Sequence, residues 1–221
     1  MGKTNWGKVQ EHLQNEVIKP RAYDDFLLEL MRDLTQKNIL DYGSGPAVLA
    51  KKYQSLGGLV KTFDNDPYIT ETCKKEIGKD KVYNALNEIP KNYFDIVTCN
   101  LVLCINKDEK IPAIMESIRD VLVDGGKSFL GFCNPLILNV PETRLDFRPS
   151  QEEPYHINHF YQKTKKEGNY DVVDENHRPI SWYEKMFHDA GLIVLDRHFT
   201  PEYEFNGKKG IHDFIIFEVK K

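Results

Sequence analysis

Long apolar runs are absent from the sequence, and positive charge is not in excess. No run approaches the roughly 20 apolar residues that span a bilayer as a helix. The chain has 30 lysine and arginine residues against 34 aspartate and glutamate residues, which gives a formal net charge of -4 at pH 7. A surface that binds a nucleic-acid duplex needs concentrated positive charge, so neither nucleic acid nor a membrane is an expected partner. Residues 1–6 lack the apolar core of an export signal, and we expect a cytoplasmic protein.

Cysteine is scarce and follows no ligand-like pattern. The four cysteines form neither a C-x-x-C pair nor the spacing of metal ligands, which predicts reduced, mostly buried thiols and no metal site. They are Cys73, Cys99, Cys104 and Cys133. With 40% hydrophobic residues in 221, one domain can bury a core large enough to fold without a disulfide.

Short apolar segments alternate with segments of helical periodicity from residue 38 onward. The predicted strands are 38–41, 59–63, 81–83, 94–99 and 127–133, and the predicted helices between them are 47–56, 67–77 and 111–123. Short, continuously apolar strands that alternate with helices are typical of a parallel sheet covered on both faces. Helix 111–123 is predicted to stop at the glycines of Asp124-Gly125-Gly126.

The end of the chain departs from this alternation. A predicted helix at 181–190 precedes strands at 192–199 and 212–219, which are joined by a turn around Asn206-Gly207. The predicted fold is therefore α/β, a Rossmann-like, doubly wound sheet of seven strands, mostly parallel with an antiparallel C-terminal hairpin.

Two segments lie outside this pattern but within the same predicted domain, residues 1–221. Residues 1–36 carry apolar residues at helical spacing and predict helices that are broken near Pro20. Residues 134–180 are rich in proline and aromatic residues and fit neither period. An insertion of this length is usually functional, and its aromatic content argues against disorder. We therefore predict that residues 134–180 form an inserted cap segment, the cap.

The first strand runs into a turn with two glycines, Gly43 and Gly45, where the backbone can approach a ligand. A nicotinamide-dinucleotide site would have a third glycine at position 48, which is Val48, and the lysine of a phosphate-binding P-loop is also missing. Asp41 stands two residues before Gly43. A carboxylate there would repel a pyrophosphate but attract an ammonium group.

Two acids follow the second strand and compete for one role. Asp66 precedes Pro67 and resembles a helix N-cap followed by proline at the first helical position. Asp64 has no such structural role and lies about 20 residues after the glycine turn, where a carboxylate can accept both hydroxyls of a ribose. We assign the ribose to Asp64, with Asp66 as the alternative.

Together these motifs resemble the class I S-adenosylmethionine-dependent methyltransferases, whose first motif reads acid-x-Gly-x-Gly-x-Gly. The resemblance covers residues 38–132 by motif and 181–219 by architecture, with Ala47 in place of the third glycine. It implies S-adenosylmethionine as cofactor and methyl transfer as the reaction. It also implies that Asp41, Gly43 and Gly45 line the methionine end of the cofactor and that Asp64 holds its ribose.

The same resemblance implies roles for residues that follow the other strands. Those implied beside the adenine and beneath the methyl group are Asn65, Asn84, Ala85 and Leu86, and then Asn100 and Leu101. Methyl transfer depends mostly on positioning, but a base helps when the acceptor is a hydroxyl or a protonated amine. An imidazole suits that task, and His177, which leads from the cap back to the core, is the predicted catalytic residue. A structural role for His177, capping the next helix or anchoring the cap, is the alternative.

The acceptor pocket is predicted to be lined by aromatic and histidine side chains. The predicted substrate-binding residues are Tyr23, Tyr155, His156, His159 and Trp182, and further aromatic candidates are Trp6, Phe160 and Tyr161. His156 and His159 form an H-x-x-H pair, but no carboxylate pattern supports a metal site there. The predicted function is methyl transfer to oxygen or nitrogen of a small molecule. Alternatives are an RNA or protein methyltransferase, or a non-catalytic protein that binds S-adenosylmethionine.

Overall fold

The computed structural model describes residues 20–140, 143, 153–163 and 173–221. The predicted helix around Val9 and Leu13, and the aromatic candidate Trp6, lie outside these residues. Within them no helix is long and apolar enough to cross a membrane.

A seven-stranded sheet forms the centre of the fold. Its strands are β1 (Asn38–Tyr42), β2 (Leu59–Phe63), β3 (Val82–Tyr83), β4 (Phe94–Asn100), β5 (Leu122–Cys133), β8 (Ile193–Phe199) and β11 (Phe214–Lys220). The strand order is β3-β2-β1-β4-β5-β11-β8. Strands β1 to β5 pair in parallel, whereas β11 runs antiparallel to both β5 and β8. The predicted α/β sheet with its antiparallel C-terminal pair is confirmed.

Helices cover both faces of this sheet. They are α1 (Asp25–Met31), α2 (Val48–Ser55), α3 (Pro67–Ile77), α4 (Ile111–Val121) and α5 (Ile180–Asp189). Side chains alternate across each strand, so Ile39 contributes to the core under α1, α2 and α3 while Leu40 contributes to the core under α4 and α5. Both are fully buried, which explains why β1 is continuously apolar up to Asp41.

The prediction for the end of α4 is wrong. The helix ends at Val121, and β5 begins at Leu122, which is fully buried and pairs with Phe94. The strand then bulges, and pairing resumes between Lys127 and Ile96. The glycines of Asp124-Gly125-Gly126 therefore serve a bulge inside β5, where Gly125 has a φ of +79°, and do not terminate the helix.

The predicted turn at Asn206-Gly207 is present, but it does not directly join the last two strands of the central sheet. Asn206 and Gly207 both have positive φ, +49° and +81°, as a tight hairpin turn requires. They connect a separate two-stranded sheet, β9 (Tyr203–Phe205) and β10 (Lys208–Ile211), that is inserted between β8 and β11.

The predicted cap contains a second hairpin-like pair. Strands β6 (His159–Lys163) and β7 (Val173–His177) run antiparallel, with His159 opposite His177. Two side chains next to His177 bond the backbone of the loop that follows β4, so β7 is fastened close to the carboxyl ends of the parallel strands. In an open α/β sheet ligands bind at that edge.

Candidate active site

The turn after β1 has the backbone shape that a close-fitting ligand requires. Gly43 and Gly45 have φ of +74° and +53°, a region that favours glycine, and a Cβ at Gly43 would collide with the side chain of Val102. The Gly43 N–H donates to the Phe63 carbonyl at 2.7 Å and ties the ends of β1 and β2 together. Ala47, the replacement for a third glycine, is buried with a φ of +62°, so this chain accepts a side chain in a left-handed position just before α2.

Asp41 lies at the carboxyl end of β1 and is 2% exposed. Its Oδ1 accepts a hydrogen bond from the Thr98 hydroxyl at 2.9 Å, across the parallel pairing of β1 with β4. A buried carboxylate is favourable where a cation or strong donors accompany it. The turn that follows therefore has a buried carboxyl group beside it.

The side chains of Asp64 and Asp66 accept different sets of backbone hydrogen bonds, as their sequence contexts indicate. Asp64 receives the Gly45 N–H at 3.1 Å on one oxygen and the Asp66 N–H at 3.0 Å on the other. Burial raises the pKa of Asp64, and those backbone donors only partly offset it. Asp66 instead caps α3, because its Oδ1 accepts from the N–H groups of Tyr68 and Ile69 with Pro67 at the first helical position. The capping interpretation of Asp66 is visible in these bonds.

We expect Asp66→Ala to lower the free energy of unfolding by about 0.5–2 kcal/mol, the usual cost of removing an N-cap. The two N–H groups of Tyr68 and Ile69 would lose their acceptor. Urea denaturation of the variant and the wild type measures the loss. Asp66→Asn, which keeps a capping oxygen, is the matched control and should restore most of the stability. An alanine variant as stable as the wild type would contradict the capping role.

Asn100 ends β4, and its side chain contacts the hydroxyls of Tyr23 and Tyr53. Its Oδ1 accepts a hydrogen bond from the Tyr23 hydroxyl, whose pKa burial raises well above the usual value, so the phenol remains a donor. The Asn100 Nδ2 is buried, and the Tyr53 hydroxyl lies near it. Gly131 makes room for Tyr23, because a Cβ there would collide with the phenol. Tyr23, predicted in the acceptor pocket, thus lies against the predicted cofactor residue Asn100.

The remaining predicted cofactor residues follow β2, β3 and β4 at the same edge of the sheet. Asn65 and Asn84 are exposed, and the Asn84 N–H donates to Glu88 at 2.8 Å. Leu86 is 47% exposed, although an apolar side chain is normally covered. Leu101 adopts a φ of +59° directly after β4, which turns the chain away from the sheet. An exposed leucine between polar side chains is suited to pack against the face of a planar ring whose edges carry polar atoms.

Residues 40–130 match a family whose description is "methyltransferase domain". A solved structure of similar fold is an S-adenosylmethionine-dependent methyltransferase from Mesorhizobium loti, with TM-score 0.65 and 13% identity, covering 95% of this chain and 100% of that one. Residues 40–130 therefore form a methyltransferase domain, and the chain has the fold of S-adenosylmethionine-dependent methyltransferases. The predicted family, the prediction of an enzyme and the predicted cofactor are confirmed.

Two further proteins are similar to this methyltransferase. The structure of Burkholderia thailandensis 1,6-didemethyltoxoflavin-N1-methyltransferase, with bound 1,6-didemethyltoxoflavin and S-adenosylhomocysteine, has TM-score 0.65 and 13% identity and covers 98% of this chain and 83% of that one. Ribulokinase 1 from Staphylococcus saprophyticus is 29% identical over 108 residues, which are 47% of this chain. The match covers 19% of that kinase, so the chain spans about a fifth of the length of this curated relative.

The residues at the sheet edge fit S-adenosylmethionine. Its methionine end carries an ammonium and a carboxylate, and the site offers a buried carboxylate at Asp41. The positive-φ turn at Gly43 leaves no Cβ in the way of a ligand. Asp64 provides carboxylate oxygens at the end of β2, where the ribose of a nucleoside cofactor lies in related folds.

On the acceptor side, His177 is 4% exposed and tied to the cap backbone. Its Nε2 lies 2.7 Å from the Tyr155 carbonyl oxygen, and its ring centroid is 5.0 Å from that of His159. Burial lowers the pKa of His177, so the imidazole is neutral at neutral pH. The Tyr155 hydroxyl accepts the Ile180 N–H at 3.1 Å and so fastens the start of α5. His156 is exposed, away from this group of side chains.

Arg178 is a central residue of this region that the sequence did not reveal. It is completely buried and donates to Asp108 Oδ1 at 2.6 Å, to the Leu103 carbonyl at 2.9 Å and to the Asn106 carbonyl at 2.5 Å. Its guanidinium lies 4.8 Å from the centre of the Trp182 ring. Trp182, a predicted substrate-binding residue, therefore packs against a structural arginine. The only sequence signal is an arginine before Pro179, which is too common to be diagnostic.

Proposed function

We propose that this methyltransferase transfers the methyl group of S-adenosylmethionine to an oxygen or nitrogen of a small molecule. The observation that carries the proposal is the cap on the acceptor side. Strand β7 is held on the loop after β4 by Asn176, whose amide donates to the carbonyls of Cys104 and Asn106 at 3.1 and 3.2 Å, and by Arg178. A cavity of about 330 Å³ lies between the cap and this loop, within the size range of small-molecule sites.

We further propose the roles of the cofactor-facing residues. When bound, the cofactor supplies an activated methyl group on a sulfonium, so the protein needs mainly to orient and to exclude water. Asp64 accepts hydrogen bonds from the ribose, Asp41 attracts the ammonium group, and Asn100 lies beneath the methyl group. An exposed Leu86 covers one face of the adenine, with Asn84 at its edge.

The alternative acceptors are RNA and protein. A net charge of -4 and a capped acceptor side both oppose a long polyanion, which needs an open and positively charged surface. The Burkholderia neighbour, whose structure holds 1,6-didemethyltoxoflavin, supports an acceptor of similar size.

The test is methyl transfer from tritiated S-adenosylmethionine to two pools, a panel of small hydroxyl and amine compounds and total RNA. We expect label only in the small-molecule pool. Label confined to RNA would replace the proposal with the macromolecular alternative. If neither pool gains label while calorimetry still detects S-adenosylhomocysteine binding, the protein is a non-catalytic binder of the cofactor.

A further inference from the structure

Helix α3 places a buried thiol against the turn that follows β1. Cys73, on α3, is completely buried. Its Sγ lies 2.9 Å from the Gly45 carbonyl oxygen, to which the thiol donates, and 3.4 Å from the Ser44 hydroxyl. Burial raises the pKa of Cys73, so the sulfur keeps its proton and remains a donor. A buried, protonated thiol is inert as a nucleophile, and its contacts act on the backbone of the turn.

Gly45 is held at both of its backbone polar groups. Its carbonyl accepts the Cys73 thiol, and its N–H donates to Asp64 Oδ2 at 3.1 Å. These two bonds join three elements, since they link helix α3 to the turn after β1 and that turn to the loop after β2. The position of one donor to Asp64 therefore depends on a side chain of α3.

The same helix also holds the backbone of Asp64. The Thr70 hydroxyl lies 3.1 Å from the Asp64 carbonyl oxygen and 3.0 Å from the Asp66 carbonyl oxygen. Helical residues that are three positions apart lie on one face, so Thr70 and Cys73 meet the two loops together. Helix α3 thus fixes the Asp64 backbone and one donor to its carboxylate relative to each other.

We propose that Cys73 is a positioning residue of the cofactor site, whose thiol holds the Gly45 N–H on the carboxylate of Asp64. The inference rests on the ribose role proposed for Asp64. The Gly45 N–H binds one oxygen of this carboxylate and the Asp66 N–H binds the other, so the side chain is oriented before a ligand arrives. An acceptor that is already ordered loses less conformational freedom on binding. Without the thiol, the turn is held less firmly and the ribose meets a less ordered carboxylate.

The ionisation of Asp64 reports whether the Gly45 N–H is in place. Backbone N–H donors, Gly45 among them, lower the pKa of Asp64, whereas burial and the Asp66 carboxylate raise it. From α3 the facing group is the neutral thiol of Cys73, which also lies near Asp41. Losing the Gly45 contact removes one of the effects that lower the pKa, so the pKa of Asp64 should rise further. A loss of helix packing alone predicts no such change.

The first test needs no ligand. Carbon-13 NMR of protein labelled at the aspartate carboxyl carbon measures the pKa of Asp64, with Asp64→Asn used for assignment. We expect Cys73→Ala to raise this pKa above the wild-type value and Cys73→Ser, which keeps a donor, to restore most of it. Cys99→Ala removes the sulfur of another completely buried cysteine and is the matched control, which should leave the pKa unchanged. A wild-type pKa of Asp64 in Cys73→Ala would overturn the inference.

The second test measures the Kd for S-adenosylhomocysteine by calorimetry. We expect Cys73→Ala to raise Kd about 3–10-fold, the effect of one ordinary hydrogen bond, while Cys73→Ser stays close to the wild type and Cys99→Ala matches it. In an Asp64→Asn background Cys73→Ala should add little, because two changes that act through one contact are not additive. Additive losses would overturn positioning through Asp64. Wild-type affinity of Cys73→Ala beside a weakened Asp64→Asn overturns the role of Cys73 alone, whereas wild-type affinity of Asp64→Asn overturns the ribose role as well.

Discussion

An Arg178→Met variant is expected to lose about 3 kcal/mol of unfolding free energy. The guanidinium is fully buried and donates to two backbone carbonyls, Leu103 and Asn106, as well as to Asp108. Methionine fills similar space but removes the charged donor from both carbonyls, and each hydrogen bond to a charged group contributes about 1.5–3 kcal/mol. Because these bonds are not additive, the expected total is close to one strong bond and not to their sum. Urea denaturation measures the loss, and the melting temperature should fall by about 6–12 °C.

Two controls separate the carbonyl bonds from the ion pair. Asp108→Asn removes only the charge of a side chain that is 46% exposed, so it should cost less than about 1 kcal/mol. Arg178→Lys keeps the charge but lacks the planar fork, and a stability between the wild type and the methionine variant is expected. If Asp108→Asn lowered the free energy of unfolding as much as Arg178→Met, the stabilisation would come from the ion pair. The contribution assigned to the two carbonyl bonds would then be wrong.

Much of the sheet was predictable because its signals are local. An apolar strand, a glycine turn and an amphipathic helix each follow from residues adjacent in sequence, so β2 and α3 begin and end at the predicted residues. The N-cap of α3 was equally predictable, because Asp66 directly precedes Pro67. The end of α4 was not predictable from local residues. The pairing of Leu122 with Phe94, 28 positions away, outweighs the local glycine signal.

The acceptor side depends on contacts that no local pattern encodes. Arg178 reaches Asp108 across 70 residues, and that contact exists only because the cap folds back on the loop after β4. The pairing of β6 with β7 places His159 opposite His177, so two histidines that are distant in sequence have ring centroids 5.0 Å apart. Sequence reasoning selected both histidines but could not identify their neighbours, such as the Tyr155 carbonyl oxygen 2.7 Å from His177 Nε2.

Asp64→Asn is expected to weaken the binding of S-adenosylhomocysteine by about 1–3 kcal/mol, or about 5–150-fold in Kd. The carboxylate already receives the N–H groups of Gly45 and Asp66, and its remaining lone pairs are the ones that the proposed ribose contact uses. The amide replaces one acceptor oxygen with a donor, which faces donors on both sides. Isothermal titration calorimetry measures the change, and NAD, whose pyrophosphate Asp41 would repel, should not bind to either protein.

The pH dependence of binding provides a second and independent signature of Asp64. Burial raises the pKa of this carboxyl above the ordinary value of 3.8, and only the ionised form can accept from both ribose hydroxyls. Affinity should therefore be complete at neutral pH and fall as the pH is lowered through that raised pKa, at a higher pH than an ordinary aspartate would produce. Asp64→Asn should remove this acidic decline, whereas Asp66→Ala should retain it while losing stability. If the Asp64→Asn variant kept wild-type affinity and an unaltered pH profile, the ribose-binding role would belong to another residue. Asp66 would then be the first to test.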